Sequence, residues 1–458
     1  FGADPTGATD SKAAIQAAFN AVAQGQGIDF GNGNTYLLSG TVTLNNKTNV
    51  SLFGSSTLQM TSNWIVSGQP TQNPMPPNNR IIEIQSCNGV VVNGLTLDGN
   101  MTNTPTHVYN GYGIDAASSF DVHYQNLIVK NLGGEALMGE GTDGLWIENC
   151  KTINVNHGVN VFGSCTQVYI LNNYIEHNSF AIFGEGVVGC VVDGNICIQT
   201  AVYNTEPLGG IVFKNTAGLG SVDEIVISNN FVITNNLDNS HNIWLNAGSG
   251  GSTYFGNVLI TNNELQSAYL WGVYAEGTTG LITVTGNQIL NSGRANAYQG
   301  SGGIANVITA TGNYISTLSA SNNAIGLYNV GVASNNFLVN FNNEKYINDR
   351  TVQNVAQLTG NYPWNTSVCF NTYSQNNPNV TGKSTVVTRN DDAGVIDGFA
   401  NGVDGQIVTL IPTKTYTVKN NSSSATQKIY TLSGSDLTLT AWTSAQFYFN
   451  ATVWQQIK

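Results

Sequence analysis

A short signal, asparagine followed by two or three apolar residues, recurs along most of this 458-residue chain. It reads QNLIV at Asn126, ENCKTI at Asn149, NNYI at Asn173 and GNICI at Asn195. It continues as NNFVI at Asn230, NNEL at Asn263, GNQIL at Asn287, GNYI at Asn313 and NNFLV at Asn336. Neighbouring signals stand 23, 24, 22, 35, 33, 24, 26 and 23 residues apart. A constant basal period with occasional insertions of about ten residues marks a solenoid, in which each repeat is one coil.

Each repeat holds three apolar runs, as in residues 181–199: AIFGEG, CVVD and ICI. Three short strands per coil of roughly 22 residues describe a parallel β-helix, each strand stacking ~4.8 Å from its equivalent. The recurring asparagine then falls in the turn between second and third strands, where stacked side-chain amides form a ladder. Composition agrees. The chain has 51 glycines and only 9% charged residues, which suits many strands joined by tight turns. Regularly spaced Val, Ile, Leu and aromatics argue against disorder.

Other function classes are excluded by charge and hydropathy. Fifteen Lys and Arg against 27 Asp and Glu give a net charge of −12. No basic stripe exists to neutralise phosphates, so nucleic acid is not the expected partner. No run of apolar residues is long enough to insert into a membrane. The six cysteines, at 87, 150, 165, 190, 197 and 369, form no CxxC pair, and no metal set is expected. Cys197 aligns with Ile175 and Val232 of neighbouring repeats, as a small core residue would.

Four segments follow. Residues 1–26 form a cap, because SKAAIQAAFNAVAQ (11–24) places Ala14, Ile15, Ala18, Phe19 and Val22 at helical spacing with Asp10 as N-cap. Such a helix covers the open edge of the first coil. Residues 27–345 form the parallel β-helix, 346–385 a linker or transition, and 386–458 a small β-sandwich-like domain. The last contains the runs IVTLIP, YTVKN, KIYTLS, LTLTAW, AQFYFN and TVWQQIK.

Insertions cluster between the third strand of one coil and the first strand of the next: 100–113, 199–210, 235–242 and 291–303. Insertions on one edge of a solenoid form its binding face. They carry His107, Tyr109, Tyr112, Tyr203 and Tyr298, rings suited to stacking on sugars.

The opening FGADPTGATDSKAAIQAAFNAVA (1–23) and the coil VVNGLTLDGN (91–100) resemble the pectate-lyase-like, right-handed single-stranded parallel β-helix superfamily. Together with a C-terminal β-domain ending TVWQQIK, the chain is most similar there to bacteriophage tailspike polysaccharide depolymerases. The resemblance implies a bacterial surface polysaccharide as partner, a homotrimer, a place on the virion tail, and an attachment domain upstream of Phe1. The catalytic motifs of polygalacturonases and the calcium cluster of pectate lyases are absent, and none of Arg80, Arg294, Arg350 and Arg389 fits a lyase pattern. No cofactor is implied.

Aligning the first strands gives IDAA (114–117), LMGE (137–140), VNVF (159–162), IFGE (182–185), IVFK (211–214), IWLN (243–246) and VYAE (273–276). Alternation sends positions two and four outward. The outer face then carries Glu140, Glu185 and Glu276 in one column, with Asp115 nearby and Lys214 between. Two coils separate Glu140 from Glu185, ~9–10 Å along the stack, near the separation of roughly 6.5–9.5 Å seen in inverting glycosidases. Glu140, Glu185 and Asp115 are therefore the catalytic candidates for endo-hydrolysis of a glycosidic bond. Trp244, Tyr274, Lys214, Glu276, Tyr109, Tyr112 and His157 are the candidates for holding substrate. The alternatives are a β-eliminating polysaccharide lyase, with His157 or His177 as base, and a non-catalytic glycan-binding adhesin.

Overall fold

The three-strand coil is the repeating unit of the protein. In a computed structural model, described except at residues 62–79, 101–110, 201–207, 217, 236–239, 248–253, 278, 294–300, 318–323, 340–351, 354–356, 360–367, 372–375, 379, 381–384, 389–393, 413 and 442, 33 strands join into one continuous parallel sheet. It winds as a right-handed parallel β-helix. Every coil pairs with its neighbours in step: Val188–Asp193 lies on Thr166–Leu171 below and Asp223–Ser228 above. Stacking keeps like residues in columns, so one apolar core runs from Ile15 to Leu338 with most of its members fully buried. Cys197 stacks between Ile175 and Val232 in that core, as its alignment requires.

The asparagine ladder is real, but its frame differs by one residue in two coils. From Asn173 to Asn313 each Nδ2 donates to Oδ1 of the next, at 2.8–3.0 Å. The same Nδ2 also donates to a backbone carbonyl, such as Val192 from Asn230 at 2.9 Å. Asn126 and Asn149 sit one position earlier, at φ 53° and 54°, alongside Asn172, Asn229 and Asn262. Leu127 and Cys150 take the ladder column in those coils, and the ladder begins where the Cys150 N–H donates to Asn173 Oδ1 at 2.8 Å. The turn needs a left-handed residue just before the ladder position, and asparagine suits both.

Helix α1 (Lys12–Ala21) buries Ile15, Ala18 and Phe19 against the first coil, with Phe19 edge-on to Phe30 at 6.5 Å. Its N-cap is Ser11, whose side chain does not cap; Asp10, one residue earlier, accepts the Lys12 N–H at 3.0 Å. The six C-terminal runs all form strands, in a seven-stranded and a three-stranded sheet around Phe399, Phe447 and Trp454. Residues 346–385, expected as a linker or transition, contain strands of both units. Val352–Gln353 and Gln357–Thr359 continue the solenoid, while Val368–Asn371 joins the C-terminal sheet.

Candidate active face

First strands stack in the register read from the sequence. Ile114, Leu137, Val159, Ile182, Ile211, Ile243 and Val273 are consecutive partners, and the residues after them follow in step. Inward positions are buried in the core. The outer face has three columns, since the residue two before each strand start also points outward. That added column runs Arg80, Tyr112, Glu135, His157, Phe180, Gly209 and His241.

Position two points away from the core, yet much of it is shielded from solvent. Asp115 and Met138 are fully buried, and Asn160, Val212 and Trp244 nearly so. Phe180, Val212 and Trp244, with Phe183 and Tyr274 packed on them, make an apolar layer outside the solenoid wall. Position four is the more open column: Glu276 is exposed, the Glu140 side chain is 46% exposed, and Glu185 keeps 17%.

Charge concentrates where the early coils meet this face. Arg80 Nε lies 2.6 Å from Asp115 Oδ2, Nη1 lies 3.8 Å from Glu83 Oε1, and Nη2 lies 3.7 Å from Glu140 Oε2. Three carboxylates from three adjacent coils thus share one guanidinium. The Asp115 contact is close but poorly aligned for hydrogen bonding, and neither Asp115 oxygen has another partner. Burial pushes the Asp115 carboxyl up to about 7, the Arg80 charge only partly opposing it, and Glu140 and Glu83 raising it further.

Glu185 is held differently. Thr216 Oγ1 donates to its Oε1 at 2.7 Å and Lys214 Nζ lies 3.6 Å from the same oxygen. Both interactions favour a fixed carboxylate. Glu276 accepts the Trp244 indole N–H at 3.0 Å. Behind these, Glu135 Oε1 accepts from Asn160 Nδ2 at 3.3 Å and lies 3.4 Å from His157 Nδ1, while its Oε2 has no partner.

Asp115, Glu140, Glu185, Lys214, Trp244, Tyr274, Glu276 and His157 all lie on one face. Tyr112 is there too, but buried, its ring so close that a Cβ on Gly134 would come within 2.7 Å of it. His157 is buried, with its ring against Phe180 at 5.1 Å. His177 is wholly buried, and desolvation with the nearby His157 pushes it down to about 3. Tyr109, like His107, Tyr203 and Tyr298, lies outside the described residues.

Sequence reasoning missed Glu83, Glu135 and the central place of Arg80. Extending the strand alignment one coil back, to RIIEIQ (80–85), and two residues upstream would have exposed all three. Among the described residues no cluster of His, Cys, Asp and Glu is arranged to hold a metal, and no helix is long and apolar enough to cross a membrane.

No protein-family model and no curated protein matches the sequence. Solved structures do resemble the fold. A double mutant of the tailspike protein of E. coli bacteriophage HK620 is 14% identical, with a TM-score of 0.55 over 92% of this chain and 80% of that one. A single mutant of the same tailspike, in complex with a pentasaccharide, is 14% identical with a TM-score of 0.53 over 91% and 80%. A family 28 exopolygalacturonase of Yersinia enterocolitica is 12% identical, with a TM-score of 0.53 over 77% and 76%. At such identities the likeness is one of fold, the pectate-lyase-like right-handed parallel β-helix.

Proposed function

We propose that the protein is a polysaccharide depolymerase that cleaves glycosidic bonds within a bacterial surface polysaccharide by hydrolysis. The observation that carries this reading is the pairing of two unlike carboxylate environments on one outer face. Around Arg80, three carboxylates share a single positive charge, and Asp115 holds a proton up to about pH 7. Glu140 is the open member of that group and meets the leaving oxygen as general acid. Across Phe162, Glu185 is pinned by Lys214 and Thr216 and activates water as general base. Hydrolysis needs both partners.

The backbones of Glu140 and Glu185 stand two strand steps apart, ~9–10 Å along the stack. From that offset two side chains can span the gap of roughly 6.5–9.5 Å of inverting enzymes, and this supports inversion at the anomeric carbon. Asp115 is too buried to touch substrate and acts by positioning Arg80 and Glu140. Tyr274 and Phe183, half-buried, offer ring faces to sugar units, and Trp244 supports Tyr274 from below with Glu276 on its indole.

A lyase would need an accessible base and a spare cation to neutralise a uronate. His177 is buried, His157 nearly so, and both Arg80 and Lys214 are engaged by carboxylates. The tailspike likeness supports a phage-tail setting, and the homotrimer implied by the sequence resemblance is checked by light scattering of the purified chain. The decisive experiment follows products from host polysaccharide by reducing-end assay and NMR. Release of reducing ends with inverted anomeric configuration is expected. Unsaturated products indicate the lyase, and binding without release indicates the adhesin.

A further inference from the structure

The charge balance of the outer face defines the chemical class of its ligand. Its described acids are Glu83, Asp115, Glu135, Glu140, Glu185 and Glu276. Its described cations are Arg80 and Lys214, and carboxylates already contact each of them within 4 Å. The histidines do not redress this. His157 lies 3.4 Å from Glu135. His241, stacked on Tyr274 at 5.0 Å, is pushed by burial down to about 3 and stays uncharged.

The insertion sequences add more negative than positive charge, with Arg294 as their one Lys or Arg. Residues 62–79, 101–110 and 248–253 contain no Lys, Arg, Asp or Glu. Residues 201–207 contribute Glu206, 236–239 contribute Asp238, and 294–300 contribute Arg294.

We propose that the polysaccharide stretch bound across this face carries no negative charge, being built of neutral hexoses, deoxyhexoses or N-acetylated amino sugars. This rests on the reading of the face as a glycan site. Ionised carboxylates only accept hydrogen bonds. A face rich in them matches ligands that present donors, and sugar hydroxyls and acetamido N–H groups supply these. Replacing a hydroxymethyl by a carboxylate removes a donor and sets a second anion against Glu185 or Glu276, while each described cation of the face already meets a carboxylate. The half-buried rings of Phe183 and Tyr274 add apolar contact that a neutral pyranose face satisfies.

The test is a glycan array of bacterial O-chain and capsular oligosaccharides, in which every uronate-bearing member is paired with its carboxyl-reduced form. Binding by the intact protein is read first, and reducing-end release from bound members second. Binding is expected on neutral members, with each bound reduced form favoured over its uronate parent by at least about tenfold. A uronate-bearing member bound as well as its reduced form overturns the inference, while release of reducing ends from that member leaves hydrolysis standing. Neutral members bound but not cleaved leave the inference standing and remove hydrolysis. No binding to any member removes the glycan site and the inference together.

Discussion

Two rows of polar side chains are buried along this solenoid, and they are built in opposite ways. In the asparagine ladder every amide is satisfied. Asn230, for example, donates to Val192 and Asn263 and accepts both the backbone N–H and the side-chain amide of Asn195. On the outer face of the first strands, Asp115 and Glu135 are equally buried but keep carboxylate oxygens without hydrogen-bond partners. A satisfied polar row specifies structure; an unsatisfied one is sustained by the rest of the fold and is available for chemistry. The ladder ties together the coils from Asn173 onward, while strand pairing in the coils before it brings Arg80 to Asp115 and Glu140, with Glu83 on its own strand.

The contrast is tested most sharply by substitutions that separate rate from stability. Glu140→Gln and Glu185→Gln are each expected to lower turnover on host polysaccharide by about 10²–10⁴-fold, with thermal unfolding unchanged. Full activity in both variants would discard the site.

Asn230→Ala is expected to do the reverse. It removes the acceptor of the buried Asn195 backbone N–H and the side-chain donor to the Val192 carbonyl, while the Asn195 side-chain amide keeps the Ile170 carbonyl, at about 1–3 kcal/mol for each orphaned group. Denaturant unfolding reads the loss, and turnover per folded molecule should hold.

Asp115→Asn probes the unsatisfied row through pH. In the folded chain Asp115 keeps its proton up to about 7, against an ordinary value of 3.8. Between those values the folded state binds one proton more than the unfolded state, so stability falls as pH rises. The contribution is fully present below the ordinary value and is lost as pH passes through the raised one. The variant, with no carboxyl to ionise, should lack that decline when unfolding is followed across the same window.

The smallest effect is expected for Cys197→Val. Its column neighbours are Ile175 and Val232, and a swap of similar volume in such a column costs less than about 1.5 kcal/mol. A larger change in melting temperature would show that the thiol is not simply a core residue.

Much of this was legible in the sequence because solenoid information is local and repeated. Seven first strands could be aligned to the residue, and every partner found in the sheet agrees, from Ile114 to Val273. The six C-terminal strands were legible for the same reason, each carrying its own alternation. The frame slipped at Asn126 and Asn149, where a left-handed turn asparagine reads like a ladder asparagine. Nothing in a string of letters separates those two uses, since both favour the same small amide.

What the chain alone determined is therefore its period, its inward and outward columns, and the alignment of Glu140 with Glu185 two coils on. Only the tertiary structure decided which outward residues stay open. Asp115 and Glu140 are both outward by alternation, yet one is fully buried and the other 46% exposed. Alternation fixes direction through bond geometry within a strand. Burial, and with it the proton affinity of Asp115, depends on what other coils lay over that direction, and on an arginine 35 residues earlier in the chain.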